Sequence, residues 1–195
     1  HMIFDFQGLL KSAIITFLAK GKEKIGFANG HEGSHIVLTK KFKVDYNQHA
    51  VIRYLKLLKL ANVPVDLEHI VFPLPFQINS NLGIPSPYIV INPIARWESK
   101  MWFQKKWRNL AQRLSVLGYK IVFTGTKKDR NYIHNICHGL SKCINLAGKT
   151  SLNTLISLYK KAKLVISIDT GTMHLAAATR TPVIALFGPT APWRT

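Results

Sequence analysis

The chain is poor in acidic residues. Of its 195 residues only 9 are Asp or Glu, against 27 Lys or Arg, so its formal net charge is +18 at pH 7. A charge of this size favours polyanionic partners, which include nucleic acid, an anionic membrane surface and a phosphorylated glycolipid. A lysine-rich proteome would give the same excess without a functional reason, so the charge alone leaves these options open.

Cysteines and long apolar runs are also scarce. The two cysteines, Cys137 and Cys143, lack the spacing of a metal site, and we expect reduced, partly buried thiols. No apolar run approaches the roughly 20 residues that cross a bilayer, and no signal peptide is recognisable, so we expect a cytoplasmic protein. There is no RNP-like motif, zinc finger or helix-turn-helix pattern, and we therefore expect no nucleic-acid partner.

The sequence does contain a regular alternation of short apolar runs and amphipathic stretches. Apolar runs near residues 88, 119, 144, 164 and 183 alternate with helical patterns, which predicts a doubly wound parallel α/β sheet. A shorter α/β segment precedes them, and a further strand is predicted at residues 69–72. The proline-rich stretch 63–87 is typical of a connection, so we predict one domain over residues 3–80 and a second over 81–195.

A polar turn follows the apolar run at residues 164–168. Asp169, Thr170 and Gly171 stand at its carboxyl end, and His174 lies in the first turn of a helix of small residues. Ligands of open α/β sheets bind at this edge, and the free N–H groups of a helix start favour a phosphate. Gly171 would admit a ligand close to the backbone, Thr170 would add a hydroxyl, and Asp169 would accept from N–H groups or a sugar hydroxyl. Alternatively, Asp169 only caps the helix and His174 is a partly buried structural histidine.

Two stretches are similar to the lipopolysaccharide heptosyltransferase family. SIDTGTMHLAAATRTPVIALFGPTAPWRT resembles its C-terminal nucleotide-binding segment, and DFQGLLKSA resembles a D-x-Q-G-L-x-K-S-A segment of its acceptor-binding domain. The resemblance implies the GT-B architecture, with two Rossmann-like halves that are both incomplete here. It also implies transfer of heptose, with inversion, from ADP-heptose to Kdo or heptose of the lipid A-linked core, without a further cofactor. The enzyme would be cytoplasmic and peripheral on the inner face of the inner membrane.

The resemblance also implies roles for individual residues. PIARWESKMW would place Arg96 and Lys100 at the diphosphate, where cations stabilise charge growing on the leaving group. Asp129 is the nearest equivalent of an acidic residue that holds the ribose, and Lys149 and Thr150 belong to a loop that lies against the adenine.

On the acceptor side the implied contact is Lys11, which would meet an acidic group of the acceptor, although a solvated helix lysine would look the same. The resemblance places the catalytic base, an aspartate, upstream of Ile3, since Asp5 matches the D-x-Q-G step instead. We therefore expect this chain alone not to catalyse transfer.

We expect no metal, because there is no Asp-x-Asp pair, and the grouping of His31, Glu32 and His35 lies within one loop. Two other hypotheses stay open. One is a basic nucleotide- or polyanion-binding module without catalysis, and the other is a GT-B enzyme that uses another nucleotide sugar.

Overall fold

The computed structural model describes residues 1–74 and 82–195, which form two compact units. The first unit comprises His1–Val71 with Ala191–Thr195, and the second comprises Phe72–Thr190. The domain boundary predicted between residues 80 and 81 lies outside the described residues. Ala191–Thr195 group with the first unit, although the sequence assigned them to the second domain.

The first unit is a small parallel sheet in the order β1-β2-β3, with helices in the connections. Its core contains the buried side chains of Ile25, Phe27, Val44 and Leu57. The elements are β1 (Met2–Asp5), α1 (Leu10–Leu18), β2 (Glu23–Phe27), a 3-10 turn (Ser34–Val37), β3 (Lys40–Phe42) and α2 (Ala50–Leu60).

The second unit is a five-stranded, all-parallel sheet with helices between successive strands. Its elements are β4 (Tyr88–Asn92), α3 (Gln104–Val116), β5 (Lys120–Phe123), α4 (Arg130–Cys137), β6 (Cys143–Asn145), α5 (Leu152–Lys161), β7 (Leu164–Ile168), α6 (Gly171–Ala178) and β8 (Val183–Leu186). The strand order is β6-β5-β4-β7-β8. The chain therefore winds outward in both directions from β4, and the order reverses between β4 and β7. In open parallel sheets, ligands bind beyond the carboxyl ends of the strands at such a switch point.

The sheet of the second unit is covered on both faces, as its central strand shows. All five residues of β4 are buried, and their side chains alternate between the faces as strand geometry requires. Ile89 and Ile91 pack with Trp107 of α3 and Ile133 of α4. On the other face, Tyr88 and Val90 pack with residues of α5 and α6. The predicted doubly wound α/β sheet is confirmed.

One predicted strand is wrong. Residues 69–72 form no strand, because the Asp66 carboxylate accepts from the backbone N–H groups of Glu68 and His69 and so stabilises a turn. The side chains that follow lie in solvent, with Val71 70% and Phe72 64% exposed. A strand here would have no described sheet to join.

The prediction of two reduced thiols is also wrong. Cys137 ends α4, Cys143 begins β6, and the two are joined by a disulfide with Cα atoms 5.4 Å apart. The physical reason is the tight turn between the helix and the strand, in which Gly139 has a φ of +73°. This turn brings two residues only six apart in sequence within disulfide reach.

Helix α1 leaves large apolar side chains in solvent. Ile15 is 70%, Phe17 64% and Leu18 72% exposed, whereas only Ala13 and Thr16 of this helix are buried. The helix has nine residues, and no helix in the described ranges is long and apolar enough to pass through a bilayer.

Candidate functional site

A cavity of about 910 Å³ lies in the second unit, at the edge of the sheet where the strand order reverses. This volume is in the range of small-molecule sites. Its lining comes from the segments that follow β4, β5, β6 and β7, so the carboxyl ends of four strands converge on it. The fold therefore places a ligand-sized space where an open α/β sheet is expected to bind.

The floor of the cavity is a buried polar layer. Asn92 ends β4 and is 4% exposed, and Thr124 follows β5 and is 1% exposed. The Asn92 Nδ2 atom donates to Thr124 Oγ1 at 3.4 Å, and Asn92 Oδ1 accepts from the Ile94 N–H at 3.4 Å. These contacts fix the first residues of the loop that leads to Arg96.

The start of α6 presents small polar groups to the cavity. Thr170, Gly171 and Thr172 line it, and the Thr170 and Thr172 hydroxyl oxygens are 2.7 Å apart. No side chain among the described residues caps α6, so its first-turn N–H groups and hydroxyls are available to an anion. A Cβ atom added at Gly171 would meet no atom within 4 Å. Glycine is therefore not required there by the packing of the protein.

Asp169 forms a compact ion pair beside this helix start. Its Oδ2 atom accepts from Lys100 Nζ at 2.5 Å and from Thr190 Oγ1 at 2.6 Å. The pair is largely buried, with Lys100 20% and Asp169 8% exposed in their side chains. Burial raises the pKa of the Asp169 carboxyl, but the bonds from Lys100 and Thr190 and the nearby charges of Lys100 and His174 outweigh it and hold the pKa below its usual range. The suggestion that Asp169 only caps α6 is wrong, because Thr170 occupies the N-cap position.

Asp129 lines the cavity on the β5 side and has a clear structural task. Its Oδ2 atom accepts from the N–H and the hydroxyl of Thr126, both at 2.7 Å, which closes the turn before α4. Gly148 packs against this turn with a φ of +71°, and a Cβ atom there would lie 2.8 Å from the Cα atom of Lys127. The loops after β5 and β6 are thereby held together along one wall of the cavity.

The remaining predicted site residues divide into two groups. Arg96 and Thr150 line the cavity. Lys149 instead lines a separate depression of about 440 Å³ with Arg130, His134 and Asn145. His174 is exposed, so it is not the partly buried histidine of the alternative interpretation.

The predicted acceptor contact, Lys11, lies exposed on α1 in the first unit. No group of three or more His, Cys, Asp or Glu side chains that could hold a metal occurs within residues 1–74 and 82–195.

Sequence reasoning missed several cavity residues. Ser151 caps α5, since its hydroxyl accepts from the Thr154 N–H at 3.2 Å, and the residue also lines the cavity. Leu152, Leu155 and Leu175 supply an apolar wall, which their helical spacing alone could not distinguish from ordinary core packing. Asn92 and Thr124 could have been found as polar residues that directly end buried strands.

A family model for glycosyltransferase family 9 (heptosyltransferase) matches residues 1–195, the whole of the chain. The chain belongs to glycosyltransferase family 9. It is 33% identical to lipooligosaccharide heptosyltransferase 2 of Haemophilus influenzae, over 94% of the chain and 59% of that protein. It is 28% identical to lipopolysaccharide heptosyltransferase 1 of Pseudomonas aeruginosa, over 98% of the chain and 55% of that protein. The chain thus spans somewhat more than half the length of these family 9 relatives.

Solved structures of family 9 enzymes share the fold. The structure of E. coli heptosyltransferase WaaC with ADP-2-deoxy-2-fluoro heptose aligns with a TM-score of 0.83 and 29% identity, over 98% of this chain and 62% of that one. E. coli ADP-heptose lps heptosyltransferase II aligns with a TM-score of 0.75 and 25% identity, over 100% and 64%. The predicted GT-B type of fold, built from parallel α/β sheets, is confirmed by these alignments.

Proposed function

We propose that the protein is an inverting heptosyltransferase that moves heptose from ADP-heptose to a Kdo or heptose hydroxyl of the lipid A-linked core of lipopolysaccharide. The observation that carries the proposal is the polar cavity at the switch point of the second unit, in a chain that belongs to family 9. The chain spans only part of the length of its relatives. The proposed activity is therefore that of the intact enzyme and not of these 195 residues alone.

The donor site is assigned to the cavity from its chemistry. The diphosphate would lie against the uncapped start of α6, with Arg96 as a cationic partner. The apolar wall of Leu152, Leu155 and Leu175 suits the flat face of a base, and Thr150 and Ser151 can offer hydrogen bonds at its edge. The Oδ2 atom of Asp129 accepts from Thr126, whereas its Oδ1 atom makes no hydrogen bond within the described residues. This Oδ1 atom is a candidate partner of a ribose hydroxyl.

The Lys100–Asp169 pair is assigned to the end of the donor where the sugar joins the diphosphate. A carboxylate can accept from sugar hydroxyls, and an ammonium group can stabilise charge that develops on the departing diphosphate. The short contact between them orients both groups before the donor arrives. His174 lies near enough to contribute to lowering the pKa of Asp169.

The acceptor is assigned to the first unit, where unsatisfied polar groups gather. Tyr46 and Arg53 are stacked, with the guanidinium 4.6 Å from the ring centre. Within the described part of the chain, five buried polar atoms of this unit have no hydrogen-bond partner, namely Asn29 Oδ1, Ser34 Oγ, His35 Nδ1, Tyr46 Oη and Arg53 Nε. Such groups suit a polar, anionic acceptor, and Lys11 remains a further candidate contact.

Replacing Arg53 with Gln in the intact enzyme should raise KM for the acceptor and leave ADP affinity unchanged.

The general base is not assigned to Asp5. One oxygen of this carboxylate accepts from the Gln7 and Gly8 N–H groups at 2.9 and 3.0 Å, and the other accepts from the Ser12 hydroxyl at 3.0 Å. A carboxylate committed to three donors within its own turn holds that turn, and its oxygens are not directed at an acceptor hydroxyl. The base, expected from the family resemblance to be an aspartate upstream of Ile3, stays a prediction.

We also propose that the enzyme works in the cytoplasm on the inner face of the inner membrane, bound to its anionic surface. The support is the net charge of +18 together with the exposed apolar side chains of α1. Sedimentation with vesicles that contain phosphatidylglycerol, but not with pure phosphatidylcholine vesicles, is the expected result, and salt should weaken the binding.

The decisive experiment is a transfer assay with the intact enzyme and a deacylated core acceptor, in which ADP-heptose is compared with UDP-sugars by mass spectrometry of the products. A heptosylated product from ADP-heptose alone is expected, with full activity in excess EDTA. Turnover only with another nucleotide sugar would support a different GT-B enzyme. Nucleotide binding without any turnover would support the binding-module hypothesis.

A further inference from the structure

Tyr159 carries a buried hydroxyl that the packing of the protein does not explain. The residue lies on α5, is 0% exposed, and belongs to the apolar cluster on one face of the second sheet. Its hydroxyl oxygen is buried and makes no hydrogen bond to any group in the described ranges. A buried polar group without a partner destabilises a folded protein, so phenylalanine would suit this cluster better than tyrosine.

The surroundings of this hydroxyl are polar on one side. It interacts with the side chains of Thr124, Thr172 and Asn92, which partly offset the rise in the pKa of Tyr159 that burial causes. These three residues line the floor of the cavity, whereas Tyr159 itself does not. The buried hydroxyl therefore lies close to the polar layer of the proposed donor site.

The polar layer consists of two hydrogen-bonded groups that Tyr159 faces together. One is Asn92 with Thr124, at the ends of β4 and β5. The other is Thr172, whose hydroxyl is 2.7 Å from that of Thr170 and 3.3 Å from that of Ser167. Each threonine hydroxyl has a single proton to donate. A phosphate accepts only, so it gains from these threonines when their protons point into the cavity and their lone pairs face another donor.

We infer that Tyr159 is a positioning residue of the donor site. Its buried hydroxyl, for which the described residues provide no hydrogen-bond partner, turns to donate to Thr124 or Thr172 when the nucleotide binds and so directs the threonine protons toward the diphosphate. This assignment rests on the proposed binding of ADP. It explains why a hydroxyl is kept in an apolar cluster, and it predicts that stability and ligand affinity respond to its removal in opposite ways.

The test compares Tyr159→Phe with Tyr88→Phe in the intact enzyme. Tyr88 is a matched control, since it is 4% exposed, lies in the same cluster, and its hydroxyl donates to the Leu158 carbonyl at 2.8 Å. Calorimetry measures the Kd of ADP and of adenosine, which lacks the phosphates, and a thermal melt measures Tm for each variant.

For Tyr159→Phe we expect ADP binding to weaken by about three- to tenfold, the effect of one net hydrogen bond, with adenosine binding unchanged and Tm not lowered. Tyr88→Phe should lower Tm by about 2–4 °C and leave both affinities unchanged. With Thr172→Val as the background, Tyr159→Phe should cost less ADP affinity than it does alone, because its effect passes through the threonine.

Unchanged ADP affinity in Tyr159→Phe would overturn the assignment. So would equal weakening of ADP and adenosine together with a lower Tm, which a purely structural role produces. Failure of the wild-type enzyme to bind ADP at all would instead remove the proposed donor site, and the role of Tyr159 with it.

Discussion

Asp169 directly precedes Thr170, the N-cap residue of α6, and its carboxylate pairs with Lys100 and Thr190. The sequence placed Asp169 at the binding edge of the parallel sheet, and the family resemblance implied that Lys100 would lie at the diphosphate of the same site. It did not predict that they would contact each other, since the two residues are 69 positions apart. Local patterns report which residues reach an edge of a sheet, whereas the partner of each side chain depends on how separate loops pack.

Replacing Asp169 with Asn should give a pH-dependent loss of stability. The carboxyl pKa is lowered in the folded protein, so its stabilising effect is present above the unfolded pKa of about 4 and disappears as the pH falls through the lower folded value. We expect a loss of roughly 1.5–3 kcal/mol at pH 7, the range for hydrogen bonds to charged groups, which shrinks toward pH 2. Urea unfolding followed by tryptophan fluorescence measures this, since Trp97, Trp102 and Trp107 lie in the second unit.

The exposed Asp45, replaced with Asn, is the control for that experiment, because its carboxylate accepts from the Asn47 N–H within its own turn and forms no ion pair within the described residues. A difference between the wild type and Asp169→Asn that stays constant from pH 7 to pH 2 would contradict the ion-pair explanation.

Gly171 should be important for the ligand and not for the fold. An added methyl group meets open space, and φ at Gly171 is outside the left-handed region, so Gly171→Ala should keep or raise the free energy of unfolding by up to about 1 kcal/mol. The same methyl group would occupy the cavity where the backbone of α6 faces the proposed diphosphate. We therefore expect weaker ADP binding without a lower Tm, and weaker binding of adenosine to the same extent would argue against a phosphate at this point.

At the scale of elements, the loop between β6 and α5 determines the shape of the cavity. The loop was predicted to present Lys149 and Thr150 together, but Thr150 lines the cavity and Lys149 the neighbouring depression. Gly148, just before them, has a φ of +71°. The apolar runs were enough to predict β4 to β8, because short apolar runs that alternate with helical patterns are typical of a parallel α/β sheet. The directions of two adjacent side chains in an irregular loop depend on the local backbone path, which no hydrophobic periodicity reports.

Gly148→Ala should destabilise the second unit, unlike Gly171→Ala. Alanine in the left-handed region costs about 1–2 kcal/mol, and its Cβ atom would lie 2.8 Å from the Cα atom of Lys127, which must shift. We expect a lower urea midpoint and, because the wall formed by the loops moves, weaker ADP binding as well. Equal stability of the two alanine variants would show that the loops after β5 and β6 do not depend on this contact.

At the scale of the whole molecule, the two units differ in what they offer a ligand. The described lining of the large cavity comes from the second unit alone, whereas the buried polar atoms without partners are concentrated in the first. The proposed donor and acceptor are assigned to separate units on this basis. Ligands that bind one unit should then stabilise that unit first.

Hydrogen exchange with and without ADP tests whether the donor binds to the second unit alone. At about 100 times its Kd, a ligand adds roughly 2.7 kcal/mol to the stability of the state that binds it, which corresponds to about 100-fold slower exchange through global opening. We expect this protection in β4, β7 and α6, which border the cavity, and little in β1, β2 and α2 of the first unit. UDP at the same concentration should protect less, because the proposed site is assigned to an adenine nucleotide.

Equal protection of both units by ADP would mean either that they unfold as one or that the nucleotide does not bind where the cavity lies. Arg96→Ala separates these outcomes, since only binding at the cavity is weakened by its loss.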